Sequence, residues 1–352
     1  MPLIEDEFAI SHAMAGALFF SFWVGNTIAV FGSGFFSQKF GYKKSILIGF
    51  TAMVITFFLL RFATSYQLFA GLVFILGMGA GVYLPCAIPL ITAVIEKKSW
   101  GKAISFHETA AGFNMLTIPL IVVWALGFSN WKSVFLIFSA LCLVVTIILL
   151  FLSPDPRPER HEKSSPTTII RRQDFWIITA AWVCCGIASL GIFNIVPLYL
   201  VKERNIQIEA ANTIFGISRF GGFIGMICIG FIIDKFDLKK TLMVILMGTG
   251  ITTIGIALAH SYALISAALL AQATFSVIFF PTGLVAIARL TNLADRSMFT
   301  AILMSMSGII GPGLSPLIIG AVADIWSFQT GILMAGIVII LSLIPLSRLK
   351  EL

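Results

Sequence analysis

The feature that most constrains this chain is the recurrence of long apolar stretches. Runs at 13–36, 68–94, 103–126, 134–152 and 175–201 carry few charges, and about 20 apolar residues suffice to cross a bilayer as a helix. A water-soluble chain of 352 residues would need far more charged surface than 11% charged against 59% hydrophobic residues provides. The expectation is an all-α, multi-pass integral membrane protein.

Short turns near residues 38–44, 61–66, 95–102, 127–132, 153–173, 202–209, 234–240, 260, 289–297 and 323–327 divide the chain into eleven predicted helices. Taken alternately, one set of loops with the C-terminal tail holds eighteen lysines and arginines, and the other set holds four. That asymmetry predicts that the basic loops and the C-terminus face the cytoplasm, with the N-terminus outside and the chain in the plasma (inner) membrane. The net charge of +7 therefore belongs to topology, and no basic patch remains for a nucleic acid. The five cysteines (Cys86, Cys142, Cys184, Cys185, Cys228) lie in apolar stretches without metal-ligand spacing. They read as buried small hydrophobes, and no metal or cofactor is expected.

One basic turn is written twice: "GFFSQKFGYKK" from Gly34 and "GFIIDKFDLKK" from Gly230, 196 residues apart. The offset continues through Pro85 and Pro281, in "VYLPCAIPL" and "VIFFPTGLV". Pro119 with Pro316, and Trp131 with Trp326, keep it to within one residue. Self-similarity over half a chain indicates duplicated helix bundles.

On these residues the chain resembles the major facilitator superfamily (MFS) of transporters along essentially its whole length. The strongest element is the doubled loop of form Gly-x-x-x-Asp-Arg/Lys-x-Gly-x-Arg/Lys-Arg/Lys. The resemblance implies twelve helices in two pseudo-symmetric six-helix bundles joined by a cytoplasmic linker. "SPDPRPERHEKSSPTTIIRRQ" fits that linker. The expected domains are an N-terminal bundle over 1–152, a linker over 153–173 and a six-helix bundle over 174–352. Only five helices precede the linker, and "PLIEDEF" at Pro2 aligns with "PLYLVKER" at Pro197. The family's first helix is thus expected to be missing from a truncated start; a true eleven-helix protein is the alternative.

The same resemblance implies a cytoplasmic gate at Gly34, Gln38 and Lys39 and at Gly230, Asp234 and Lys235. The glycines would admit close helix approach, the acid would pair with a neighbour, and the lysines would meet anionic lipid and helix C-termini. Gln38 stands where the family has an acid, and Asp237 stands in place of the second copy's later glycine. An asymmetric latch is expected.

An ionisable group in the apolar region costs about 2.5–3.5 kcal/mol on insertion scales, so each one calls for a reason. Arg219 lies about 15 Å along its helix from either end. Asn212, Gly216, Arg219, Gly222 and Met226 share its face. The resemblance places that face on a central cavity, where a guanidinium would attract an anionic substrate; a structural pairing with a carboxylate or helix carbonyls is the competing reading. Glu108 and His107 are proton-coupling candidates, with Glu108 alternatively a counter-ion for a cytoplasmic lysine. Asn26, Tyr83, Asn194 and Gln272 are weaker substrate candidates, because buried amides commonly bond to neighbouring helices.

The leading expectation is a secondary active carrier working by alternating access on a small organic or inorganic anion, with protons as coupling ion, and monomeric. Proton-coupled efflux of drugs or cations by the same fold is one alternative. It is disfavoured because "GFNMLTIPL" lacks a Gly-Pro pair and Val73 replaces an arginine found in some proton-coupled members. A truncated, non-transporting membrane protein is the other. An enzyme is not expected, since no paired carboxylates, metal-spaced histidines or nucleophile–base set occur, and no nucleotide-binding loop suggests ATP as driver.

Overall fold

The computed structural model describes residues 1–96, 100–127, 130–156, 166–233, 235–291 and 293–349. The side chains of Glu108 and several of its neighbours lie outside that description, as does all of Asp234. Among the described residues every regular element is helical. In chain order these are α1 (Pro2–Phe8), α2 (His12–Phe40), α3 (Tyr42–Leu60), α4 (Tyr66–Gly81), α5 (Tyr83–Val94), α6 (Trp100–Leu126), α7 (Ser133–Leu152), α8 (Pro166–Ile170) and α9 (Gln173–Gly186). After a π-helical turn at Ile187–Gly191 come α10 (Ile192–Lys202), α11 (Ile208–Ile233), α12 (Leu238–Leu258), α13 (Tyr262–Leu290) and α14 (Leu293–Gly308). A second π-helical turn, Ile309–Leu314, leads into α15 (Ser315–Ile325), α16 (Phe328–Leu341) and α17 (Leu343–Ser347).

Nine helices among the described residues are long and apolar enough to cross a membrane. This is a multi-pass membrane protein. Within hydrocarbon a backbone polar group has no water to bond to, so long apolar runs become helices that satisfy themselves. The acidic start "PLIEDEF" forms the short helix α1. Pro2 at its first position suits a helix start, because that N–H has no intrahelical partner. Glu5 of this helix is buried, and burial pushes its carboxyl above the ordinary value, against the opposing hydrogen bond from His12.

The chain packs as two compact units. One comprises 1–19, 115–120 and 162–352; the other comprises 20–114 and 121–161. In the first unit, one core cluster gathers Phe175, Trp182, Phe279 and Phe299. A second gathers Ile192, Tyr199, Phe215 and Phe328. In the other unit Tyr42, Ile46, Cys86, Ala87 and Leu90 form a smaller cluster. Three of the five cysteines are buried as expected, Cys142 is half-buried, and Cys228 is exposed on its helix. The expectation for Cys228 is therefore corrected: it sits on an outward stripe of α11 with Ile217, Phe220 and Ile224.

The repeat is visible in the caps. Ser65 accepts a hydrogen bond from Leu68 N at 3.3 Å, and Ser261 accepts one from Leu264 N at 3.2 Å. Both serines precede helices that begin with tyrosine, 196 residues apart. Helix pairing repeats as well: α3 packs on α4 and α7, and α12 packs on α13 and α16. Removing either cap leaves an orphan N–H at a helix start. Ser65→Ala and Ser261→Ala should each cost about 1 kcal/mol, read as a lowered midpoint of thermal unfolding in detergent, while Ser266→Ala, in the second turn of α13 and not at its cap, should cost less.

Candidate functional site

Arg219 lies in the middle of α11; of the residues expected to share its face, Gly216 and Gly222 are buried with it and Asn212 and Met226 are half-buried, while Ile217 and Phe220 are exposed. The residue is 3% exposed. Its guanidinium carbon lies 4.5 Å from the ring centre of Phe193, on α10, and 4.7 Å from that of Phe215. The two rings are 4.4 Å apart and tilted by 49°. The three centres thus form a nearly equilateral triangle. Both rings lie to one side of the cation and do not sandwich it, so they leave its other flank uncovered by aromatic surface.

Cation–π attraction at a desolvated site is worth about 2 kcal/mol or more. It acts through the ring faces and satisfies no N–H. Nε, Nη1 and Nη2 are all buried without a hydrogen-bond acceptor among the described residues. A guanidinium carries five donors in a planar fork suited to a carboxylate or phosphate. A buried donor left without a partner is costly.

The other candidates separate. Asn194, on α10 next to Phe193, is half-buried. Gln272, on α13, is fully buried; its Nε2 donates to the Ala188 carbonyl at 2.7 Å, and its Oε1 has no donor among the described residues. Half of this amide therefore does structural work within the helix packing. Asn26 and Tyr83 belong to the second unit. Asn26 lies where α2 crosses α4, its backbone against Gly77 and Gly81. Tyr83 Oη and His107 Nε2 share a hydrogen bond of 2.7 Å. The Tyr83 ring stacks on His107 at 5.6 Å and on Phe50 at 5.3 Å. The side chain of Glu108 lies outside the described residues.

At the doubled basic turn the two copies do the same thing by different means. Gly41 opens α3 with a φ of 84°, a left-handed conformation that glycine adopts without strain. Asp237 opens α12 with its carboxylate accepting from Lys240 N at 2.8 Å. Lys43 Nζ donates to the Ser153 carbonyl at 2.6 Å, and Lys239 Nζ donates to those of Ser347 and Leu349 at 2.6 and 2.7 Å. Lys43 and Ser153, advanced by 196 residues, are Lys239 and Leu349. In each repeat this lysine holds the C-terminal end of the last helix, where free carbonyls and the negative end of the dipole favour a cation.

The remaining gate positions show less. Among the described residues, a Cβ on Gly34 would meet nothing within 4 Å. Gln38 and Lys39 are exposed, and Lys39 lies over the rings of Phe35 and Phe40. Lys235 is exposed. Asp234 and the packing of Gly230 fall outside the described residues.

The family model described as Major Facilitator Superfamily matches residues 1–262 and 211–351. The chain belongs to the major facilitator superfamily. Protein TsgA of Salmonella newport (strain SL254) is 24% identical over 251 residues, 70% of this chain and 63% of that protein. Protein TsgA of Shigella dysenteriae serotype 1 (strain Sd197) is 25% identical over the same shares. This member of the superfamily thus spans less than two thirds of the length of those relatives. Among solved structures, a mutant of the nucleoside transporter NupG superposes with a TM-score of 0.83 at 15% identity, covering 98% of this chain and 92% of that one. A bacterial homologue of the human lysosomal transporter Spinster, inward-facing and unoccupied, superposes with a TM-score of 0.79 at 14% identity, covering 97% and 90%. At such identities these likenesses establish the fold alone.

The lysine contacts were half legible: a repeated Lys-Lys pair is plain in the sequence, but which member reaches a helix end depends on the turn. Lys43→Met and Lys239→Met should each speed amide exchange in the last turn of the helix they hold by roughly tenfold, as expected for losing a charge-assisted bond. Lys44→Met and Lys240→Met, whose side chains are exposed, should leave exchange there unchanged in the same mass-spectrometric measurement.

Proposed function

We propose that this chain is a secondary active carrier of small anions, working by alternating access, with Arg219 as the residue that recognises the anion. The observation that carries this reading is the buried guanidinium, backed by two aromatic rings and lacking any acceptor for its three nitrogens among the described residues. A structural arginine would have its fork filled by a carboxylate or by helix carbonyls. Membership of a transporter superfamily supports transport as the activity, and the charge asymmetry of the loops supports an inner membrane with basic loops inside.

We assign proton coupling to His107, whose ring shares a hydrogen bond of 2.7 Å with Tyr83 Oη. The stacked Phe50–Tyr83–His107 set fixes the ring orientation, so a change of charge there would act on the surrounding packing of α3, α5 and α6.

In proteoliposomes loaded against a panel of small organic and inorganic anions, Arg219→Ala should lower uptake of the transported anion at least about a hundredfold, and Arg219→Lys should retain part of it, as the difference between a lost and a weakened charge-assisted contact requires. Undiminished uptake by Arg219→Ala would remove the residue from the site. His107→Gln should flatten the dependence of uptake on pH, because it removes the imidazole that would carry the proton; an unaltered profile would reject His107 as the proton site.

A further inference from the structure

A second unpaired polar group faces the same helix as Arg219. Gln272 is fully buried, and only half of its amide is used. Nε2 donates to the Ala188 carbonyl at 2.7 Å, which fixes the orientation of the amide and turns Oε1 away from that carbonyl. Oε1 has no donor among the described residues. An amide oxygen can only accept hydrogen bonds, and a buried acceptor left alone is costly.

The packing of α11 on α13 puts this oxygen at the depth of the guanidinium. The two helices run in the same direction. A Cβ on Gly221 would lie 3.3 Å from the Leu270 carbonyl oxygen, and one on Gly225 would lie 3.8 Å from that of Thr274, so contacts advance four residues together on both helices. A Cβ on Gly222 would lie 3.0 Å from the Ala273 carbonyl oxygen. From that contact Arg219 stands three residues back and Gln272 one, so at 1.5 Å per residue their depths differ by about 3 Å. Gln272 bonds to Ala188 in the π-helical turn, and Arg219 lies against Phe193, which follows that turn at the start of α10. The positions 196 residues earlier are Leu76 and Trp23, so both polar groups belong to one repeat alone.

We propose that Gln272 reads a hydroxyl on the transported anion, and that the carrier selects oxyanions that bring their own O–H: hydroxycarboxylates, with hydrogen phosphate as the inorganic case. The proposal rests on the reading of Arg219 as the residue that recognises the anion. The guanidinium offers donors alone and the amide oxygen accepts alone. A ligand that meets both must therefore carry oxygens to accept and one hydrogen to give. An unsubstituted carboxylate or a sulfate has no such hydrogen at neutral pH and would leave Oε1 buried and unpaired. An ammonium group could donate, but its charge is repelled by a guanidinium in a low-dielectric interior. A neutral O–H meets no such repulsion. Sites built to bond a hydroxyl discriminate strongly against the analogue that lacks it.

Shifts of the unfolding midpoint, titrated with the full chain in detergent at neutral pH, give apparent affinities for lactate, propionate and pyruvate, and for phosphate and sulfate. The three carboxylates differ in carrying a hydroxyl, nothing, or a keto oxygen at one carbon. The unaltered chain should bind lactate over propionate, or phosphate over sulfate, by at least about tenfold, the penalty for an unpaired buried acceptor. Pyruvate should bind no better than propionate, because its keto oxygen would face Oε1. Gln272→Met keeps the length of the side chain and removes the acceptor, and should bring the members of each set level. Equal affinities within both sets in the unaltered chain would overturn the proposal. So would a Gln272→Met chain that weakens every anion alike, the mark of an amide with a structural role only. Should Gln272→Met fail to fold, the order in the unaltered chain decides: pyruvate binding as tightly as lactate, with phosphate and sulfate equal, overturns the proposal. If none of these anions shifts the midpoint, or if Arg219→Gln responds as the unaltered chain does, the Arg219 reading falls and this one with it. Binding through Arg219 without discrimination overturns this one alone.

Discussion

Polar groups in a bilayer must find their partners inside the protein, and the rest of this structure follows from that constraint. The backbone meets it by being helical. The hydroxyls meet it locally: Thr56, Thr146, Thr179, Ser189, Thr249 and Thr291 each donate to the carbonyl four residues earlier on their own helix. Larger groups reach across. Lys132, buried just before the start of α7, donates to the Ala63 carbonyl at 2.8 Å, and the repeated lysines Lys43 and Lys239 take helix ends. Against that background Arg219 stands out, because none of its three buried nitrogens has an acceptor among the described residues.

Duplication explains the architecture, and divergence between the copies locates function. The serine caps, the helix pairing and the lysine clamps recur at the 196-residue offset because they answer the same physical need twice. Arg219 has no counterpart: the position 196 residues earlier is Trp23. His107 likewise corresponds to Leu303. Features shared by both repeats maintain the bundles, and the proposed anion and proton sites are among those found once.

The fold was legible because apolar length and loop charge are large, additive signals. The buried stripe of Arg219 was legible from three- and four-residue spacing along one helix. Phe193 was not, since it reaches the site from α10 across a packing that no local pattern encodes. Asp324, whose carboxylate accepts from His12 N and Ala13 N, was missed for the same reason: an acid near a helix end reads as a solvated turn until the distant helix it caps is known. The helical character of "PLIEDEF" was hidden by its acids, which suit both a loop and a first helical turn.

The central claim is that a buried guanidinium awaits an anion. Anion-induced thermal stabilisation, compared between the unaltered chain and Arg219→Gln across small carboxylates, phosphate and sulfate, tests it most directly. The account predicts that at least one of these anions raises the unfolding midpoint of the unaltered chain in a saturable manner and does nothing to Arg219→Gln. Equal stabilisation of both forms, or saturable stabilisation only by cations or neutral compounds, would contradict it.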